Sequence, residues 1–302
     1  MARKKAAPFL STVMDPHAVI TAIDSGLRFP EVVAPLREKY EAAIRQFAEL
    51  AVISASSADL LGRIRTPLIR AERRMDLLKI FRRCVSGVCD TEATKKIQSI
   101  PTERFVANYG SGFKPISTVQ EQFADLSDLF ISVLAVSVGE YDNRGLQGYV
   151  LTGQFFDWFE AEFNGRLSID GPRGAGPDVE LGAVIPGFIG SCPCDFVIRD
   201  AVNRRVLAVG FARYDATRGG AQSNDRTGGN AGKIYMIRDF CRPRGLKLRV
   251  FFLADGPGLS HGDTWRRAVE LDDSWDGNVR VTTLKTAAAR ITSDWLRGSP
   301  PP

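Results

Sequence analysis

Apolar residues recur at helical spacing over most of the first 135 positions. From about Arg166 they give way to short continuous apolar runs separated by turns. In the first part, residues 17–27, 29–64, 90–98 and 119–138 read as helices, with a softer loop over 101–118. Arg63 to Arg83 reads as one further helix, on which Leu68, Ile69, Met75, Leu77, Leu78, Ile80 and Phe81 form the apolar face. "LTGQFFDWFEAEF" (151–163) is a helix before the change of texture. After it, "CDFVIRD" (194–200) and "VLAVGFARYD" (206–215) read as strands joined through a turn at "NRR". A glycine-rich loop over 212–233 leads into a helix at 232–245 that a glycine closes, then a buried strand at 246–255. A helix with an aspartate cap (263–273), a strand (278–284) and a closing helix (285–296) complete the pattern. The order predicts an α/β fold: a mixed central sheet flanked by helices, preceded by a mostly helical N-terminal region. The boundary falls near residue 150, giving 1–150 and 151–302.

Composition narrows the function classes. With 44% apolar and 25% charged residues, and no apolar run of 18, the chain reads as a soluble globular protein without a membrane segment. Its opening residues lack the apolar stretch of a secretion signal, so a cytoplasmic location is expected. The five cysteines lack knuckle spacing and are read as reduced and structural. Net charge is only +5, yet residues 63–83 alone carry +6. A helix so charged suits contact with a nucleic-acid backbone, through Arg73, Arg74, Arg82 and Arg83 among others.

The motifs exclude more than they admit. "TGGNAGKI" lacks P-loop spacing and carries Ile234 in place of the hydroxyl residue that would bind magnesium. No dinucleotide fingerprint, nucleophile elbow or zinc-protease helix occurs, and His17 and His261 are the only histidines. Carboxylates offer more. Asp178 and Glu180 share one face of a strand, Asp195 heads the first apolar strand, and the second strand leads to Asp215 and Asp225. Pairing the two strands would gather these acids with Arg213, Arg218, Arg226 and Lys233. Acids hold a hard cation such as magnesium, and cations stabilise developing charge.

The strand carrying "PCDFVI", its turn and the strand "VLAVGFARYD" resemble the hairpin of the PD-(D/E)xK nucleases. The following helix, strand, helix and strand are similar to the core of type II restriction endonucleases, over roughly residues 155–297. "FRRCVSGVCDTE" and "RYDATRGGAQSNDR" also resemble segments of bacterial restriction enzymes. The resemblance implies magnesium-dependent hydrolysis of double-stranded DNA by a homodimer, with a DNA methyltransferase as genetic partner. It makes Asp195 a catalytic and metal-binding acid, helped by Glu180, Asp215 or Asp225. The acid-x-lysine pair of the family falls near 210–212, where this chain reads Gly-Phe-Ala. Its roles pass to Asp215 or Asp225 for the acid and Arg213 or Lys233 for the cation, with Glu160 or Glu162 as a further acid. Arg218, Gln222 and Arg226 have the donor chemistry for phosphates and base edges. The departure also favours the alternatives of a non-catalytic DNA-binding protein with a degenerate nuclease fold and, less strongly, an enzyme acting on a small phosphorylated ligand.

Overall fold

The structure is a computed structural model that describes residues 7–24, 26–140, 142, 145–217 and 222–298, with backbone alone over 222–228. It comprises two compact units, Gly26–Arg144 and a second formed by Met1–Ser25 with Gly145–Pro302. Whereas the hydrophobic pattern puts one boundary near residue 150, residues 7–24 belong with the sheet.

The helical unit contains α1 (Val33–Val52), α2 (Ser57–Ile64), α3 (Ala71–Cys84), α4 (Thr91–Thr94), α5 (Thr102–Tyr109), α6 (Ile116–Gln122) and α7 (Asp128–Gly139). Tyr40, Ile44 and Phe47 of α1, Leu60 and Leu61 of α2, and Phe81 of α3 are completely buried in one core. Three expected helices are broken, two where a serine side chain caps a new start and one at a proline. Ser56 accepts from the Asp59 amide and opens α2, which splits the 29–64 segment. Ser127 accepts from the Phe130 amide and opens α7, which splits 119–138. The basic stretch is divided between α2 and α3, because Pro67 biases its predecessor away from helix. Leu68 lies in that break, 91% exposed, and is not part of an apolar face. The expected loop over 101–118 contains α5 and the start of α6.

In this unit Asp142 accepts from Lys39 (2.7 Å), Lys79 (2.6 Å) and the Tyr40 hydroxyl (2.5 Å). Burial opposes ionisation of Asp142, but these three donors outweigh it and hold the carboxyl below its ordinary range.

The sheet unit opens with extended N-terminal chain rather than the helix expected over 17–27. Asp15 caps only a short turn, Pro16–Val19. Beyond it the Thr21 amide donates to Asp255 and the Ile23 amide to the Tyr214 hydroxyl, so the backbone bonds to the sheet instead. The elements that follow are α8 (Leu146–Phe163), β1 (Leu167–Asp170), β2 (Val179–Glu180), α9 (Leu181–Val184), β3 (Pro193–Cys194), β4 (Phe196–Asp200) and β5 (Val206–Tyr214). Then come α10 (Gln222–Cys241), β6 (Arg249–Asp255), α11 (Gly262–Leu271) and β7 (Val279–Thr282). The expected closing helix is two short ones, Ala287–Arg290 and Ser293–Arg297, the second capped by Thr292. The sheet order is β1-β4-β5-β6-β7, antiparallel from β1 to β5 and parallel from β5 to β7; β2 and β3 form a separate ribbon. This is a mixed sheet, with α10 and α11 as crossovers between the parallel strands.

Both faces of the central strands are buried, which is why they read as continuous apolar runs. Val197, Val209, Phe211, Val250 and Phe252 pack with Ile234 and Ile237 of α10. The alternate residues Phe196, Ile198, Ala208, Phe251 and Leu253 pack with Phe155, Phe156 and Phe159 of α8. Buried Asp255 ties the N-terminal segment to the sheet by accepting from the amides of Thr21 (2.7 Å), Gly256 (2.8 Å) and Leu284 (2.9 Å).

Candidate active site

The hairpin of β4 and β5 fixes Asp195. Its amide donates to the Gly210 carbonyl at 3.0 Å, and its carboxylate Oδ2 accepts from the Ala212 amide at 2.8 Å. Both bonds are consequences of register, since Phe196 pairs with Gly210. On the other side, β2 pairs with β3 so that Val179 faces Cys194, and this brings Asp178, the residue before β2, close enough for its charge to act on Asp195. Burial pushes the Asp195 carboxyl above the ordinary aspartate range. The Ala212 amide and Lys233 oppose that rise, whereas the like charge of Asp178 adds to it.

Asp195 opens onto a cleft of about 420 Å3 at the end of the parallel strands, also lined by Arg213, Asp215, Lys233 and Arg267. β5 carries Arg213, whose Nε donates to Asp215 at 2.6 Å. The chain after β5 is held close to the turn after β6. The Asp215 amide donates to the Asp255 carbonyl, and the Gly258 amide to the Asp215 carbonyl at 2.7 Å. A Cβ on Gly258 would come within 2.3 Å of the Thr217 carbonyl oxygen, so this approach requires glycine. From α10, Lys233 places its ammonium 4.1 Å from the centre of the Phe211 ring.

The register also explains how the positions are occupied at which the resemblance expects an acid-x-lysine pair. A Cβ on Gly210 would lie 2.0 Å from the Phe196 ring. Phe211 is core and supports Lys233, and the amide of Ala212 holds Asp195.

Asp195, Arg213, Asp215 and Lys233, singled out in the sequence, thus line one cleft. Glu180 is engaged elsewhere, accepting from the Ser191 hydroxyl (3.0 Å) and the Cys192 amide (3.2 Å). Glu160, on α8, forms an ion pair with Arg173, and α8 packs through its phenylalanines on the opposite face of the sheet; Glu162 of the same helix is exposed. Arg218 and the side chains of Gln222, Asp225 and Arg226 lie outside the described residues. The loop expected over 212–233 is shorter than its glycines imply. Ala212 to Tyr214 belong to β5, and α10 begins at Gln222.

On α3, Arg83 donates to Glu140 (2.7 Å) and the Ser137 carbonyl, and Arg74 to the carbonyls of Thr66 and Ile69. One nitrogen of Arg73 is buried without a hydrogen-bond partner, and Arg82 is exposed. Cys89, Cys192, Cys194 and Cys241 are buried. Burial pushes the Cys194 thiol up to about 12 and that of Cys241 to about 11, which suppresses thiolate chemistry.

Arg267 is not singled out by the sequence, and Asp178 is named there among the candidate carboxylates without a role of its own. Arg267 arrives from α11 through a crossover, and Asp178 meets Asp195 only through the β2–β3 ribbon. Both depend on tertiary register. Among the described residues no group of three or more His, Cys, Asp or Glu side chains is arranged to hold a metal, and no helix is long and apolar enough to cross a membrane. No family model, curated protein or solved structure matches the chain.

Proposed function

We propose that the protein is a magnesium-dependent endonuclease acting on double-stranded DNA, of the type II restriction kind, built on a restriction-endonuclease-like core. The observation that carries this reading is the cleft in which Asp195, fixed by the Ala212 amide, meets Arg213, Lys233 and Arg267. Magnesium keeps several of its waters and takes one or two carboxylates together with substrate phosphate oxygens, so a large all-protein ligand set is not required. Asp195 fits that demand, and Asp178 beside it supplies the like charge that a dication relieves. Bound there, the ion would neutralise phosphate charge and activate water.

The chain's own residues supply the rest. Asp215 takes the Nε edge of Arg213, whose terminal amino groups remain chemically suited to a phosphate oxygen. Lys233, lying on an aromatic face at the wall of the cleft, contributes a cation for charge that develops on the phosphate. Palindromic sites call for a twofold arrangement, so a homodimer is the partner state, with a DNA methyltransferase to protect host DNA.

The test is incubation with mixed-sequence duplex DNA, first with magnesium and then with chelator. Discrete fragments that require magnesium are expected. Asp195→Asn can still accept from the Ala212 amide, so it should abolish cleavage and keep binding. Full cleavage by that variant refutes the site. The occupation of 210–212 by Gly-Phe-Ala favours a second reading, a DNA-binding protein that does not cut. Salt-sensitive binding with no fragments under any metal condition would establish it.

A further inference from the structure

The helical unit carries a cleft of its own, of about 540 Å3, lined by the 67–71 turn, Arg74 and the 95–99 turn. Four cations line it, Arg70, Arg74, Lys95 and Lys96, and no carboxylate does. Lys95 pairs with Glu92 at 2.6 Å. Arg70 and Lys96 are exposed and have no carboxylate partner among the described residues. The first turn of α3 contributes Ala71 to the wall, and the positive end of the helix dipole adds to the field there.

The walls are fastened by arginines that bond neutral acceptors. Arg65, only 4% exposed, donates to the Thr94 carbonyl (2.9 Å), the Ile100 carbonyl (2.6 Å) and the Thr102 hydroxyl (2.9 Å). Those bonds anchor both ends of the 95–99 turn. Arg74 does the same for the opposite wall through the carbonyls of Thr66 and Ile69. Glu103 lies near Arg65 and Glu72 in the first turn of α3, but neither lines the cleft. The result is a rigid concavity whose charge is not cancelled from within. Rigid walls with convergent donors and uncompensated positive charge are what a phosphate group needs.

We propose that this cleft is a phosphate-binding site, and that the phosphate it takes belongs to the backbone of duplex DNA. The second half rests on the nuclease reading; the first stands on the cleft alone. It keeps Arg74 as a backbone contact of α3 and sets aside the C-terminal arginines, where Arg83 is already engaged by Glu140.

The experiment uses the full chain carrying Asp195→Asn, so that DNA stays intact. Fluorescence anisotropy with a labelled duplex is measured across salt concentrations, and calorimetric titration with pyrophosphate runs in parallel. Arg70→Gln combined with Lys96→Gln should weaken duplex binding and reduce the slope of log K against log salt by about 1. The control, Arg37→Gln with Arg45→Gln, removes the same charge from two residues of the same unit that pair with Glu41 and Asp128, and should leave that slope unchanged. Thermal unfolding confirms that both variants fold. If the duplex binds but the two double variants behave alike, the proposed site is refuted and the nuclease reading survives. If the duplex fails to bind while pyrophosphate binds through Arg70 and Lys96, the phosphate site stands and both the DNA assignment and the nuclease reading fall. If neither ligand binds, both proposals fall.

Discussion

Gly210→Ala is the sharpest test of the register that positions Asp195. The added Cβ would stand 2.0 Å from Cε2 and 2.3 Å from Cζ of Phe196. Ordinary carbon contacts lie at about 3.5–4.0 Å, so the ring must retreat by roughly 1.5–2 Å. It has nowhere to go: Phe251, Phe155 and Phe156 hold it at centroid distances of 5.2, 5.4 and 5.5 Å, and Phe196 is fully buried. Overpacking of this kind costs about 1–3 kcal/mol, and a ring enclosed by three others belongs at the upper end. Gly→Ala without a clash would instead stabilise by about 0.4–1 kcal/mol through the unfolded chain, so even the sign is informative. For a unit of this size, about 3 kcal/mol corresponds to a Tm lower by roughly 6–12 °C. Urea unfolding gives the free energy and calorimetry the Tm. Phe196→Leu in the same chain should recover part of the loss, because it removes the atoms that collide. Unchanged or raised stability for Gly210→Ala would refute the register, and with it the placement of Asp195 against Ala212.

Two further outcomes follow from the same geometry. Lys233→Ala removes the cation over Phe211. Single-turnover cleavage should fall about 10²–10³-fold, the scale of losing one charge-stabilising donor, while stability changes by no more than about 1 kcal/mol; a rate within threefold of the parent removes Lys233 from the machinery. Asp200 is held below the ordinary aspartate range by the amides of Val202 and Asn203, then by Arg297. A depressed carboxyl contributes stability above the unfolded value of about 3.9 and loses it as pH falls through the folded value. Urea midpoints taken from pH 6 down to pH 3 should therefore drop more steeply below about pH 4 in the parent chain than in Asp200→Asn, and parallel curves would refute the assignment.

How far the sequence reveals this molecule depends on whether a feature is written locally. The β4–β5 hairpin is legible because both strands are continuous apolar runs and the turn between them carries Asp200 and Asn203, which bond its amides. Asp195 at the head of β4 follows directly. The breaks within the helical region are local too, in Ser56, Ser127 and Pro67, but long apolar periodicity outweighs a single cap when a segment is read by its period alone. The N-terminal chain misleads for a different reason. Nothing local to 17–27 announces that Asp255 and Tyr214, more than 190 residues away, will take its amides. The closeness of Asp178 to Asp195 likewise exists only once β2 has found β3.

That distinction bears on the absent acid-x-lysine pair. Against the nuclease resemblance, Gly210-Phe211-Ala212 offers neither acid nor lysine. In the folded hairpin each position has a physical occupation. Gly210 makes room for Phe196, Phe211 fills the core and faces Lys233, and Ala212 gives its amide to Asp195. An acid at 210 would meet the aromatic core, and one at 211 would be buried beside Asp195, raising further a carboxyl that burial already pushes upward. Charge at this edge is sustainable only where β5 leaves the core, at the half-buried Arg213 with its partner Asp215, or where α10 delivers Lys233 from the side. The distribution of cations and acids around the cleft is therefore dictated by packing inside the hairpin. Any chemistry performed here must be assembled from several elements instead of one strand.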